Sequence, residues 1–222
     1  MTRGWFVTAT DTDVGKTHVS GVLLRALAGH GQRVAGMKPV ASGCTHTPEG
    51  WRSSDALALM AASNVVAAYD DVNPYALIQP TAPHLAARAQ GVDINIALIQ
   101  SCYQRLAAQA NAVIVEGIGG WQVPLGPDTT MVDVVRALAL PVVLVVPLRV
   151  GALNHALLTQ AAIQSAGCRL AGWVANQIDP LEPEGYRQAL SERLLAPCIG
   201  AVPHGLPSNT PALLNVGMLL DT

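Results

Sequence analysis

Phe6-Val-Thr-Ala-Thr-Asp-Thr-Asp-Val-Gly-Lys-Thr17 joins an apolar run to a polar turn and then to a helical pattern, and these residue types suit the holding of a phosphate chain. Phosphates need several convergent N–H donors and a positive charge, which a tight loop opening a helix and the side chain of Lys16 provide. Thr17 adds a hydroxyl of the kind that holds Mg²⁺ beside the phosphates. The usual pattern is Gly-x-x-x-x-Gly-Lys-Ser/Thr; here Thr10 takes the first place, and Ala9 stands where a longer form begins with Gly. Ala tolerates positive φ poorly, so Ala9 is the questionable position of the loop. The surroundings support it: Trp5, Phe6 and Val7 precede the loop, and Val19, Val22, Leu23, Leu24 and Leu27 follow at helical spacing.

Positioning such a loop takes a sheet and its helices, and the chain alternates short apolar runs with longer amphipathic ones. Expected strands are Trp5 to Thr8, Arg33 to Lys38, Ala112 to Val115, Val142 to Val146, Leu170 to Ala175 and Ile199 to Val202. Their nearly continuous apolar character is that of strands buried on both faces. Expected helices run over Lys16 to Ala28, Ser54 to Ala62, Ile94 to Ala108, Met131 to Ala139, Leu153 to Ala166 and Glu184 to Leu195. The alternation predicts an α/β fold, a mostly parallel sheet covered by helices on both faces, in a single domain over 1–222. Ligands bind such sheets beyond the C-terminal strand ends, which here means Thr10 to Thr17, Lys38 to Ser42, Glu116 to Gly120, Pro147 to Asn154, Asn176 and Pro203 to Gly205. Between Asp70 and Gly91, Pro74, Pro80 and Pro83 interrupt the regularity; the segment reads as a long excursion near the site, with a disordered surface loop as the alternative.

Half of the residues are hydrophobic, 13% are charged and the formal net charge is −2. Arg and Lys are scattered, without the basic cluster or aromatic platform of a nucleic-acid binder. Cys44, Cys102, Cys168 and Cys198 lie far apart, so they read as reduced, mostly buried thiols and not as a zinc site or disulfide framework. The N-terminus runs into the first strand without the sections of a signal peptide, and no apolar run reaches the ~18 residues of a membrane helix. A cytoplasmic protein whose partners are small molecules or copies of itself is expected.

Several clusters at the strand ends resemble one family. Gly36-Met-Lys-Pro-Val-Ala-Ser-Gly43, Ser54-Asp55-Ala-Leu, Asn73-Pro-Tyr75, Pro80-Thr-Ala-Pro-His84, Val115-Glu-Gly-Ile-Gly-Gly-Trp121, Gly151-Ala-Leu-Asn-His155 and Gly172-Trp-Val-Ala-Asn176 are similar, in register from about Trp5 to Asn176, to dethiobiotin synthetase. The resemblance implies a P-loop NTPase-like fold and an enzyme that turns 7,8-diaminononanoate, CO₂ and MgATP into dethiobiotin, ADP and phosphate. A carbamate is a poor electrophile, so its oxygen must be phosphorylated before the second amine closes the ring. Positioning and charge neutralisation are the chemistry expected.

Carried over residue by residue, the resemblance puts the nucleotide on Asp13, Val14, Gly15, Lys16, Thr17 and His18, on Asp55, and on Glu116, Gly117, Ile118 and Gly119. It puts adenine on Asn176 and Gln177, against a wall of Pro203, His204 and Gly205. Thr17, Asp55 and Glu116 become the Mg²⁺ ligands, one hydroxyl and two carboxylates, which suits a hard cation. Alone, Asp55 reads as a carboxylate at a helix start and Glu116 as a charge at a sheet edge. Lys38, with Lys16 and Thr12 as the other catalytic residues, is implied to hold the carbamate or its phosphorylated form. Ser42 is implied to hydrogen-bond the substrate's nitrogens or carbamate. Gly151, Ala152, Leu153 and Asn154 open a helix that, from the neighbouring subunit, grips the substrate's tail carboxylate, so a homodimer with composite sites is expected. This sequence departs from the family pattern at Asp13, where Glu is common, and at Ile118, where Ala is common. Read singly, His18, His30, His46 and His84 are surface or satisfied histidines.

Two other readings compete. A ParA/MinD-like switch ATPase shares the extended loop, but carries a signature Lys early in it, and Ala9 to Asp13 contain none. In the amide-forming ligases related to cobyrinate synthesis an amidotransferase domain supplies ammonia from glutamine, and with Thr222 as the last residue no such domain is expected here.

Overall fold

The computed structural model describes residues 2–181, 184–207, 210 and 214–221. In chain order the elements are β1 (Arg3–Ala9), α1 (Lys16–Gly29), β2 (Val34–Met37), β3 (Val40–Ala41), β4 (Thr45–Thr47), β5 (Gly50–Arg52), α2 (Ser54–Ala62), α3 (Tyr69–Val72), β6 (Tyr75–Ala76), α4 (Pro83–Gln90) and α5 (Ile96–Gln109). There follow β7 (Ala112–Glu116), α6 (Met131–Leu138), β8 (Val142–Pro147), α7 (Ala152–Ser165), β9 (Leu170–Asn176), α8 (Tyr186–Arg193), β10 (Cys198–Val202) and α9 (Gly217–Leu220).

Among the described residues the main sheet has six strands in the order β10-β9-β8-β1-β7-β2, and every pair is parallel. All of its C-terminal ends therefore open on one edge, with β1 and its loop in the middle. Alternation along β1 explains the layering: Phe6 joins the core formed with Met37, Val113, Val115 and α5–α6, while Trp5, Val7 and Ala9 join the opposite core formed with α1. Such a sheet has no polar face, which is why its strands read as unbroken apolar runs.

The six expected strands are the strands of this sheet, and the six expected helices are present with no end displaced by more than two residues. The stretch from Asp70 to Gly91 is an ordered excursion. It carries α4, and β6 pairs in parallel with β3 so that Tyr75 lies opposite Val40. A small antiparallel hairpin, β4 with β5, also escapes the periodicity. Elements of two to four residues are too short to show a period.

Candidate active site

The strand-to-helix turn after β1 is held by two left-handed residues, Asp13 at φ 56° and Gly15 at φ 81°. Ala9 ends β1 and takes no positive φ, so the missing glycine costs this loop nothing. Gly15 is required twice over, by its φ and because a Cβ there would run into Asn176 Nδ2. No side chain caps α1, so its first N–H groups face the loop without a protein competitor.

Lys16, the first residue of α1, is 8% exposed and its Nζ donates to the Asp11 carbonyl at 3.3 Å. Burial and then the charge of Lys38 lower its pKa to about 8, against the opposite pull of Glu116, Asp55 and Asp13. Thr17 Oγ1 donates to Glu116 Oε1 at 2.7 Å.

Lys38 follows directly on β2 and is 3% exposed. Its Nζ donates to Glu116 Oε1 at 2.6 Å, to Asp55 Oδ2 at 2.7 Å and to the Gly117 carbonyl at 3.1 Å. Burial alone would lower its pKa; the two carboxylates outweigh burial and raise it, so Lys38 stays charged. Asp55 lies in the first turn of α2 behind its N-cap Ser53, whose Oγ accepts from Ala56 N–H. Burial pushes the Asp55 carboxyl up, but Lys38 wins and holds it below the ordinary range. Glu116 ends β7 fully buried, and its Oε2 has no protein partner among the described residues.

Thr12, Asp13, Gly15, Lys16, Thr17, Lys38, Ala41, Ser42, Asp55, Glu116, Ile118 and Gly119 line one cavity of about 440 Å³. Most of the residues expected to do chemistry thus converge. Ile118 is accommodated because its side chain packs against the core. Gly117 contributes its carbonyl to Lys38 and its N–H to Val7 O at 2.9 Å. Val14 is buried and offers backbone only, while His18 stands on α1 beside Arg25 and does not line the cavity.

The proposed adenine residues lie on the other side of the loop. Asn176 and Val202 are register partners on β9 and β10, which brings Gln177 next to Pro203, His204 and Gly205. Gln177 N–H donates to Val202 O at 2.9 Å, His204 N–H to Gln177 Oε1 at 3.4 Å, and the His204 Nδ1 lies 3.0 Å from Ile178 O. Asn176 is buried and its amide donates to Val14 O at 2.8 Å, so here it braces the phosphate loop. Gly151, Ala152, Leu153 and Asn154 open α7 at the same sheet edge without lining the cavity of their own chain, and Asn154 is exposed.

One contact in this region has no motif to announce it. Arg149 Nη2 lies 3.3 Å from Asp11 Oδ2, tying the turn before α7 to the phosphate loop. Its signal in sequence was only its place at a strand end.

Residues 3–212 match the family described as an AAA domain. The chain is 50% identical over 212 residues to the ATP-dependent dethiobiotin synthetase BioD of Xylella fastidiosa, covering 95% of this chain and 94% of that one. It is 51% identical over 201 residues to the enzyme of the same name from Xanthomonas oryzae pv. oryzae, covering 90% of each. Similar solved structures include the MinC:MinD complex of Aquifex aeolicus, at TM-score 0.57 and 16% identity over 92% of this chain and 82% of that one. A ParA family ATPase from Chlorobium tepidum follows at TM-score 0.54 and 15% identity over 91% and 84%. At that identity the likeness is of fold, and the switch-ATPase alternative has nothing further in its favour. Half of all residues identical across nearly the whole of both chains is another matter, and the chain belongs to the dethiobiotin synthetase family.

Proposed function

We propose that this enzyme closes the ureido ring of dethiobiotin from 7,8-diaminononanoate, CO₂ and ATP. The observation that carries the reading is a buried Lys38 clasped by Asp55 and Glu116 in the cavity that also holds the phosphate-loop Lys16.

The first amine adds to CO₂ and releases a proton, giving an anionic carbamate. A carbamate oxygen attacks the γ-phosphorus, and the bond to the bridging oxygen breaks to leave ADP. The second amine then attacks the carbamate carbon, its proton is lost, and the carbon–oxygen bond to phosphate breaks. Lys16 and the N–H groups of the loop would hold the β and γ phosphates, and Lys38 would turn from its carboxylates to the transferring group and the carbamate. Thr12 and Ser42 line the same cavity as hydroxyls for phosphate and carbamate.

Thr17, Asp55 and Glu116 would hold Mg²⁺. The orphaned Glu116 Oε2 and the 41% exposed Asp55 side chain fit an ion that takes a few protein oxygens and completes its shell with water and phosphate. Bound there, Mg²⁺ supplies charge neutralisation for the phosphates. Asn176, Gln177 and Pro203 to Gly205 would enclose adenine, for which the Asn176 amide must leave Val14 O. The uncapped start of α7, Gly151 to Asn154, would take the substrate's tail carboxylate for the site of a second subunit. A homodimer in the cytoplasm is the setting we infer.

The path of one oxygen tests the scheme. With ¹⁸O-labelled CO₂, label enters inorganic phosphate in step with the rings closed, read by mass before CO₂ exchanges with water. Phosphate that stays unlabelled while dethiobiotin forms would rule out the phosphorylated carbamate.

A further inference from the structure

Lys38 and Asp55 reach the cavity from different elements, the end of β2 and the start of α2, and a hydrogen-bond chain outside the cavity ties those elements together. Tyr69 Oη accepts from the Ser53 N–H at 2.7 Å and donates to Asn73 Oδ1 at 2.9 Å. Asn73 Nδ2 in turn donates to the Lys38 carbonyl at 2.6 Å. Ser53 caps the helix that carries Asp55, so the phenol joins the cap of one catalytic element to the backbone of the other. Asn73 is 3% exposed, its Nδ2 also reaches Tyr75 O at 3.4 Å, and a polar group buried to that degree is costly to leave unpaired. The Arg52 guanidinium lies 4.0 Å above the Tyr69 ring, and backbone bonds from Lys38 N–H to Val72 O at 2.8 Å and from Tyr75 N–H to Pro39 O at 3.2 Å fasten the same segment to the strand end. The chain of contacts closes in the cavity, where Lys38 Nζ meets Asp55 Oδ2.

We propose that Tyr69 and Asn73 are positioning residues for phosphoryl transfer, setting the register between Lys38 and the helix that presents Asp55. The proposal rests on the roles given to Lys38 and Asp55 above. It assigns a task to the proline-rich excursion, whose Asn73-Pro-Tyr75 motif lines none of the cavity.

A displacement of about 1 Å at a reacting centre can cost ~10²-fold in rate, so a partial loosening is enough to be seen. Tyr69→Phe keeps the ring beneath Arg52 and removes only the hydroxyl. Its turnover is expected to fall about tenfold with KM for ATP little changed. The gain in affinity for a non-hydrolysable ATP analogue on adding Mg²⁺, measured by calorimetry, should shrink at least ~3-fold, because Asp55 is displaced. Asn73→Asp keeps the shape and the acceptor for Tyr69 but loses the donor to Lys38 O, and its turnover should fall comparably; it serves if Tyr69→Phe folds poorly. Asp71→Asn, on the same short helix as Tyr69, is the comparator, since it weakens the 2.6 Å ion pair to Arg105 of α5 and should lower the melting temperature alone. If Tyr69→Phe and Asn73→Asp merely copy Asp71→Asn, with turnover and Mg²⁺ gain intact, the residues are structural and the proposal is wrong. Wild-type protein that formed no dethiobiotin would sink the reaction scheme instead, and the Mg²⁺ gain would still judge the Tyr69 assignment.

Discussion

Lys38 is the residue whose environment says most. A charge buried at 3% exposure survives only if paired, and here the two partners are the carboxylates we assign to the metal. Lys38→Ala should therefore lower turnover at least ~10²-fold, the usual loss of a transition-state donor, while ATP affinity stays close to wild type. It should also destabilise the fold by about 3–5 kcal/mol in denaturant melts, because the buried Glu116 loses the ammonium bonded directly to it. Unchanged turnover would remove Lys38 from the mechanism. Lys16 offers a pH test. With a pKa near 8 it carries its proton in about half of the free molecules at pH 8, and phosphate contact restores the charge, so nucleotide binding at that pH should take up about half a proton. Since the depressed value belongs to the free form, uptake should rise between about pH 7 and 9. Calorimetry in buffers of different ionisation enthalpy measures it, and no buffer dependence, or the same dependence in Lys16→Met, would contradict the assignment. At this scale Lys16 and Thr17 were legible from their motif, and Lys38, Asp55 and Glu116 from the resemblance. The Arg149–Asp11 pair and the Tyr69 hydroxyl were not, because partners 138 positions apart, or joined through a third residue, leave no spacing to read.

Elements set these residues in place through close packing. A methyl on Gly36 in β2 would come within 2.7 Å of Leu59 Cβ and 3.0 Å of Leu24 Cδ1, so α2, which carries Asp55, lies on β2 only because that residue is glycine. Gly36→Ala is expected to cost about 1–3 kcal/mol in chemical denaturation, as overpacking does. A variant as stable as wild type would show that α2 shifts freely. The six strands of the main sheet were legible because burial on both faces leaves an unbroken apolar signature. The β3–β6 pair and the β4–β5 hairpin were not, since Val40–Ala41 and Tyr75–Ala76 are two residues each and take their conformation from tertiary contacts.

For the whole molecule, the parallel sheet brings every strand end to one edge, and the site is a property of that edge. Its tail-carboxylate end is the part we assign to a second copy. Mixing Lys38→Ala with Asn154→Asp protomers tests this: each is inactive alone, and random exchange makes heterodimers with one intact composite site, restoring about a quarter of wild-type activity. No recovery on mixing would place Gly151 to Asn154 outside the partner's site. The central claim, a phosphoryl transfer spent on ring closure, is met most directly by ADP release with MgATP and bicarbonate, with and without 7,8-diaminononanoate, while dethiobiotin is followed by mass in the same samples. Release that depends on the diamine and equals the dethiobiotin formed is the predicted result; hydrolysis indifferent to the diamine would contradict it and return the chain to the switch ATPases whose fold it shares.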